Sequence, residues 1–197
     1  MSAMPVELER VSGWDEELRY QYPLSQDSVV VDAGAYLGDW AAGIVARYGC
    51  HLHCFEPVPE FAAFLRQRFA ISQRITVHPA AVSDSSGTMI MWLDGSATSA
   101  YQDMGVRIEV TALDIAAVLR SLPAPDLLKL NIEGEEFPVL ARMLDAGVVT
   151  RCRDIQVQFH EFYPDAERLR DELHARLSAT HRLTYNFPFV WENWRRL

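Results

Sequence analysis

The stretch VVVDAGAYLGDW, residues 29–40, predicts a buried strand that runs into a tight glycine turn and then a helix. Residues 29–31 are all valine, and an unbroken β-branched run is typical of a parallel strand covered on both faces. Asp32 follows at the end of the strand, and Gly34 and Gly38 let the backbone turn sharply and approach a ligand closely. The segment therefore predicts the place where an open α/β sheet binds a nucleotide-like ligand.

The spacing of the glycines favours one class of ligand over another. A dinucleotide fingerprint that began at Gly34 would need glycines where Tyr36 and Asp39 stand. The turn reads D-x-G-x-x-x-G instead, which resembles the first motif of the class I S-adenosylmethionine (SAM) methyltransferases. A plain strand-to-helix turn without a ligand also explains so short a pattern.

A second acidic residue supports an adenosine-containing ligand. LHCFEP, residues 52–57, predicts another strand, which ends at Glu56 and is stopped by Pro57. The interval from Asp32 to Glu56 is long enough for a helix between two parallel strands. A carboxylate at this place accepts hydrogen bonds from a ribose diol in both NAD and SAM enzymes, so Glu56 does not choose between them. The alternative is a solvated charge at a strand end.

The composition fits a globular enzyme of one domain, residues 1–197. The chain has 197 residues, of which 49% are hydrophobic and 23% charged. One domain is a simpler interpretation of this length than two very small ones. A net charge of −9 disfavours nucleic acid and anionic membranes as partners.

Cysteine usage and hydropathy predict a location in the cytoplasm. The three cysteines lack the spacing of a disulfide framework or a structural zinc site. The first residues do not read as a secretory leader, and no apolar run reaches 18 residues. We therefore expect a cytoplasmic protein without membrane contact.

Predicted strands alternate with predicted helices after residue 28, which indicates a parallel sheet. Residues 1–28 are expected to form a helical or capping segment. Apolar residues at helical spacing and turn signals predict helices at 40–48, 61–69 and 137–146. A third strand is predicted at 75–84, with a turn around Pro79, and a fifth at 154–164.

A second segment that carries candidate site residues is DLLKLNIEGEEF, residues 126–137. Its leucines predict a buried strand, and polar residues crowd the carboxyl end of that strand. Glu135 and Glu136 suit the N-terminus of the following helix, whose dipole favours negative charge. Glu133 precedes Gly134 and so stands before the helix, at the sheet edge where ligands bind in open α/β folds. Glu133 is therefore a functional candidate.

The segments taken in order resemble the FkbM family of SAM-dependent methyltransferases. The resemblance is carried by VVVDAGAYLGDW, CFEPVPEFAAFL, HPAAVSDSSGT, VTALD and LLKLNIEGEE, and it covers residues 29–147. It implies an α/β fold of the class I methyltransferase type, a Rossmann-like three-layer sandwich. The expected sheet has seven mostly parallel strands and a C-terminal antiparallel strand.

The resemblance also implies a cofactor pocket for SAM, with S-adenosylhomocysteine as product. The glycine turn would shape the methionine side, Glu56 would hold the ribose, and residues 81–83 would lie against the adenine. The implied cofactor set is Asp32, Ala33, Gly34, Tyr36, Gly38, Asp39, Glu56, Pro57, Ala81, Val82 and Ser83. Asn131 departs from the family pattern, which usually has aspartate there; asparagine keeps the hydrogen-bonding shape and loses the charge.

Three residues form the predicted catalytic set: His160, Glu133 and Asn131. Methyl transfer to an alcohol requires a positioned acceptor oxygen and benefits from a base. His160 is the first candidate, because it lies at the carboxyl end of a predicted strand and an unperturbed histidine titrates near neutral pH. A hydrogen-bonded histidine at a strand edge is the alternative, and Glu133 and Glu161 are rival bases. No metal site is predicted, and a metal requirement is left open.

The C-terminal residues 181–197 predict an antiparallel pair of strands. Trp191 and Trp194 are candidates for stacking on a substrate, although packing against a terminal helix is the favoured explanation of both rings. Glu161 is a further candidate for contact with the substrate. The expected acceptor is a hydroxylated small molecule, such as a sugar or secondary metabolite, and a homodimer is possible. Two alternatives are a SAM-binding scaffold without activity and, less favoured, a nicotinamide-dependent oxidoreductase.

Overall fold

The computed structural model describes residues 16–94, 97–101 and 105–197. Within them the chain forms eleven strands, five α-helices and two 3₁₀ turns, at Glu16–Tyr20 and Val149–Arg151. The strands are β1 Val29–Ala33, β2 His51–Phe55, β3 Ile75–His78, β4 Ala81–Ser83, β5 Gly87–Asp94, β6 Ala97–Ser99, β7 Val106–Asp114, β8 Leu127–Leu130, β9 Asp154–Val157, β10 His181–Phe187 and β11 Trp191–Arg196. The helices are α1 Asp39–Tyr48, α2 Pro59–Arg68, α3 Ile115–Ser121, α4 Glu136–Asp145 and α5 Ala166–Leu177.

Seven of the described strands form one sheet in the order β10, β11, β9, β8, β1, β2, β3. Strand β1 lies in the middle, and Val30 of β1 is opposite Leu52 of β2 and Leu127 of β8 in parallel register. Strand β11 runs antiparallel to both β9 and β10. The predicted sheet, mostly parallel with an antiparallel C-terminal strand, is confirmed.

Alternate residues of the central strands enter two different cores, one on each face of the sheet. On one face Val31 and Leu128 pack with apolar residues of α3, α4 and α5. On the other face Val30 and Leu127 pack with α1 and with Leu65 of α2. Burial on both faces explains why β1 is a continuous valine run. The result is the predicted arrangement of three layers.

A second, smaller sheet contains β4, β7, β5 and β6 in that order. Its presence corrects the predicted third strand at 75–84, which is two strands in two sheets: β3 ends at His78 and β4 begins at Ala81. Pro79 lies between them and lacks an N–H group, so it cannot continue the hydrogen-bonded ladder. The interruption redirects the chain toward the cleft described below.

The N-terminal segment is described only from Glu16, and residues 1–15 of the predicted cap at 1–28 lie outside the described residues. Glu16–Tyr20 is a 3₁₀ turn, and the Tyr48 hydroxyl donates to the Tyr20 carbonyl over 2.6 Å. Tyr22 is buried in the core beside α1. No helix in the described part of the chain is long and apolar enough to cross a membrane.

Candidate active site

A cleft lies at the carboxyl ends of β1, β2 and β8, where the larger sheet faces the smaller one. Its empty volume is about 770 Å³, part of it open to solvent. The lining residues come from both sheets: Gly34, Tyr36, Phe55, Glu56, Pro57, Ala81, Val82, Met91, Asn131, Ile132, Glu133 and Glu135.

The glycine turn after β1 forms one wall of this cleft. The amide groups of Gly34 and Ala35 both donate to the Phe55 carbonyl of β2, at 3.0 and 3.2 Å. Gly34 has a φ of 78°, and a Cβ on it would lie 1.9 Å from the Asn131 carbonyl oxygen. Only glycine allows β1 and β8 to approach so closely at this point.

Asp32 and Gly38 lie behind the turn and do not line the cleft. Asp32 is fully buried, and the Lys129 ammonium contacts its carboxylate at 2.6 Å and the Gly34 carbonyl at 3.0 Å. Burial raises the pKa of Asp32, and Lys129 opposes that effect. At Gly38 a Cβ would lie 2.6 Å from the Leu65 side chain of α2. Both residues therefore shape the turn from beneath.

Glu56 lies in the cleft at the end of β2, and its carboxylate is held by the backbone. One oxygen accepts from the Tyr36 amide at 2.8 Å and the other from the Val58 amide at 3.0 Å. Burial raises the pKa of Glu56, and these two donors oppose that effect. A carboxylate has about four lone-pair sites, so each oxygen keeps one for a ligand.

The opposite wall combines an apolar surface with a buried carboxylate. Val82 and Met91 supply apolar surface, whereas Ser83 lies behind the wall and donates to Glu135 at 2.6 Å. Glu135 also accepts from the Tyr101 hydroxyl. Burial raises the pKa of Glu135, and the two hydroxyl donors oppose that effect.

Sequence reasoning missed Glu135 and Met91 as cleft residues. The helix-dipole interpretation of Glu135 needed no partner, whereas its observed donors are 52 and 34 residues away in the chain. Met91 comes from β5 of the smaller sheet. No local pattern in the sequence signals either contact.

The turn after β8 carries the polar residues that face the cleft. Asn131 lines it, and the buried Oδ1 of its side chain has no hydrogen-bond partner among the residues that the structure describes. Glu133 also lines the cleft, with 29% of its side chain exposed and a left-handed φ of 54°. Both predicted residues are therefore brought to the same place.

His160 lies beside this turn and does not line the cleft. Its Nε2 is 3.5 Å from Glu133 Oε2 and its Nδ1 is 3.2 Å from Glu136 Oε1. Burial alone lowers the pKa of His160, but the carboxylates of Glu136 and Glu133 raise it to about 10. A pKa raised in this way disfavours an imidazole that accepts a proton near neutral pH, on which the candidacy of His160 as the base rests.

The two C-terminal tryptophans are packed, which is the interpretation that the sequence favours over stacking on a substrate. Trp191 and Trp194 are 2% and 1% exposed, and Trp194 belongs to the core under α5. The Arg19 guanidinium covers the Trp191 ring at 4.0 Å. Neither ring has a face for a substrate, and the packing interpretation accounts for both.

Three further predicted residues lie outside the cleft lining. Ala33 is buried in the core of the sheet. Asp39 is 82% exposed and pairs with Arg68 of α2 at 2.6 Å. Glu161 is exposed.

Among the residues that the structure describes, no group of three or more histidine, cysteine or acidic side chains is arranged to hold a metal ion.

A family model described as the methyltransferase FkbM domain matches residues 32–187. The chain belongs to the FkbM methyltransferase family. The resemblance seen in the sequence is thus confirmed, and with it SAM as the methyl donor. No curated protein sequence matches the chain.

Solved structures confirm the class I fold for this FkbM-family methyltransferase. A putative rRNA methylase from Clostridium thermocellum is 11% identical, with a TM-score of 0.57 over 92% of each chain. The fibrillarin pre-rRNA processing protein of Methanococcus jannaschii is 8% identical, with a TM-score of 0.56 over 89% of this chain and 69% of that one. An rRNA methylase from Streptococcus thermophilus is 10% identical, with a TM-score of 0.52 over 100% and 99%. Identities this low show a shared fold alone.

The cleft of this FkbM-family methyltransferase fits SAM. The unpartnered Asn131 Oδ1 is an acceptor suited to an ammonium group, and the Glu56 carboxylate suits a ribose diol. Ala81, Val82 and Met91 give the apolar surface that a purine ring needs. When bound, SAM supplies a methyl group from its sulfonium, and the rest of the molecule leaves as a thioether.

Glu56→Gln is expected to weaken SAM binding about tenfold, because it removes one charge-assisted acceptor that faces the cleft. Calorimetric titration of the purified protein with SAM measures the change. Glu60→Gln is the matched control, since Glu60 is exposed on α2 and should leave the affinity unchanged. Equal affinity of Glu56→Gln and wild type would refute the ribose role.

Proposed function

We propose that this methyltransferase transfers the methyl group of SAM to a hydroxyl oxygen of a small molecule, such as a sugar or a secondary metabolite. The observation that carries the proposal is the Glu133 carboxylate, which lines the cleft on the turn after β8. A carboxylate there can take the proton that a hydroxyl loses as its oxygen is methylated.

The chain's part in the reaction is then mainly positioning. The acceptor oxygen needs to lie about 3 Å from the methyl carbon and in line with the bond that breaks. Glu133 accepts the hydroxyl proton, and Asn131 offers an amide that can orient the donor or the acceptor. The step is balanced. The methyl group moves from sulfur to oxygen and the hydroxyl proton moves to Glu133, so the positive charge of the sulfonium and the negative charge of Glu133 are lost together.

The charge of the cleft favours an acceptor without negative charge. The lining within the described residues contains three glutamates and no lysine or arginine. The net charge of −9 adds a repulsive field around the whole protein. An RNA acceptor, such as the rRNA after which two structural neighbours are named, would bring phosphates into this field, so a neutral hydroxylated molecule is the better candidate.

The proposal is tested by incubating purified protein with SAM and separate acceptors: a panel of neutral sugars and polyols, their phosphorylated forms, and an rRNA fragment. Release of S-adenosylhomocysteine reports turnover, and NMR of the product locates the new methyl group. We expect an O-methyl ether on a neutral acceptor. Methylation of RNA, carbon or nitrogen would contradict the proposal, and SAM binding without turnover on any acceptor would favour the scaffold alternative.

Glu133→Gln is expected to lower kcat about 100-fold, because the amide cannot accept the proton. The dissociation constant for SAM should change less than twofold. Steady-state kinetics and calorimetry together measure both. Glu167→Gln, at an exposed glutamate of α5, is the control and should retain full activity. An active Glu133→Gln variant would exclude Glu133 as the base.

A cytoplasmic location, a single-domain organisation and a possible homodimer remain predictions from the sequence.

A further inference from the structure

The turn that presents Glu133 to the cleft is strained and needs support from its surroundings. Glu133 has a φ of 54°, a left-handed conformation that non-glycine residues rarely adopt. Such a conformation persists only where neighbouring groups over-determine it. The groups around the turn must therefore hold Glu133 in this state.

Glu136 contacts the backbone on both sides of Glu133. One oxygen of its carboxylate accepts from the Ile132 amide at 2.5 Å, and the other accepts from the Gly134 amide at 2.9 Å. Glu136 is fully buried at the start of α4. The carboxylate therefore bridges the backbone amides of the residues before and after the strained residue.

A buried carboxylate needs a positive partner, and His160 is in place to supply it. The His160 side chain is 13% exposed, and its two ring nitrogens face Glu136 at 3.2 Å and Glu133 at 3.5 Å. The uncharged ring of Phe162 lies at a centroid distance of 5.2 Å from the imidazole. Within the described residues, Glu136 and Glu133 are the charged groups that act on the pKa of His160, and both raise it.

We propose that Glu136 and a protonated His160 form an ion pair that fixes the turn at residues 131–134 and aims Glu133 at the acceptor. His160 is thereby a positioning residue and not the catalytic base. The pKa of His160, raised to about 10 by Glu136 and Glu133 against the effect of burial, agrees with this geometry. The part that concerns Glu133 rests on the proposed O-methyl transfer; the ion pair itself does not.

The ion pair is tested first without any methyl acceptor. The whole protein is labelled at its histidine rings, the His160 signals are assigned by their loss in His160→Gln, and their shifts are followed by NMR from pH 5 to pH 10. We expect His160 to stay protonated at pH 8 in the wild type. In Glu136→Gln its pKa should fall by at least one unit, and in the control Glu161→Gln it should not change. A wild-type His160 that titrates at or below its ordinary pKa of about 6.5 would overturn the proposal, even if Glu136→Gln failed to fold.

Kinetics then separates positioning from base catalysis. His160→Gln should lower kcat about tenfold while the KM for SAM changes less than twofold, and the pH profile of kcat should keep its shape. If His160 were the base, kcat of the wild type would rise as His160 lost its proton and His160→Gln would abolish that rise, which would overturn the positioning role. Absence of O-methyl transfer to every acceptor would instead refute the proposed function, and the NMR result would still decide the ion pair.

Discussion

Gly34→Ala is expected to prevent folding or to lower the free energy of unfolding by about 4 kcal/mol or more, a range reserved for a few severe mechanisms. The added Cβ would lie 1.9 Å from the Asn131 carbonyl oxygen, and the φ of 78° already strains an alanine. The carbonyl cannot move away freely, because the Asn131 amide is hydrogen-bonded to Ala33 of β1 at 3.2 Å. Urea unfolding followed by circular dichroism measures the loss.

Gly147→Ala is the matched control for this substitution. Gly147 has a φ of 66°, close to that of Gly34, but nothing lies within 4 Å of a Cβ built there. Its cost should be only the left-handed conformation of an alanine, about 1 kcal/mol. Equal losses in the two variants would show that the approach of β1 to β8 is not what requires glycine at position 34.

Lys129→Met is expected to destabilise the protein by about 3–5 kcal/mol, the usual cost of removing one partner from a buried ion pair. Asp32 would be left charged and without a counter-ion on the buried face of β1. The Asp32→Leu/Lys129→Met double variant should be more stable than Lys129→Met, because it removes the stranded charge. Arg68→Met breaks the exposed pair with Asp39 and should cost less than about 1 kcal/mol.

The pH dependence of Lys129→Met follows from the same pair. Burial raises the pKa of Asp32, and the loss of Lys129 removes the group that opposes this effect. An acid whose folded pKa lies above its unfolded value gains stability as the pH falls through the folded pKa. The destabilisation should therefore be smaller at pH 5 than at pH 8, and chemical unfolding at both values measures it. A larger loss at pH 5 would contradict the assignment.

The sequence predicts the central sheet well, because its signals are local. The valines of β1 face two cores, so the whole strand is apolar, and Glu56 is marked by its place at a strand end before a proline. Gly34 is also recognisable from a local signal, because a left-handed turn after a strand is a property of its own backbone. The polar ends of β1, β2 and β8 are brought together by parallel pairing, which the alternation of strands and helices already implies.

The parts that the sequence cannot predict depend on groups distant in the chain. Glu133 and Glu136 approach the His160 imidazole in space and raise its pKa, and no spacing in the sequence encodes that approach. Glu135 becomes a buried cleft residue only because Ser83 and Tyr101 meet it. The aromatic residues near the C-terminus are compatible both with stacking on a substrate and with packing in the core. Their presence in the sequence does not distinguish exposed rings from packed ones.

The two walls of the cleft belong to separate sheets, and this has a consequence for how the enzyme can diverge. Met91 stands on the smaller sheet, whereas Gly34, Glu56 and Glu133 follow strands of the larger one. A substitution at Met91 reshapes the cavity without disturbing any hydrogen bond of the glycine turn. The apolar wall that faces the purine can thus vary through β5 while the glycine turn, Glu56 and Glu133 of the larger sheet stay intact, which makes β5 the first place to randomise in a directed-evolution library for analogues of the methyl donor.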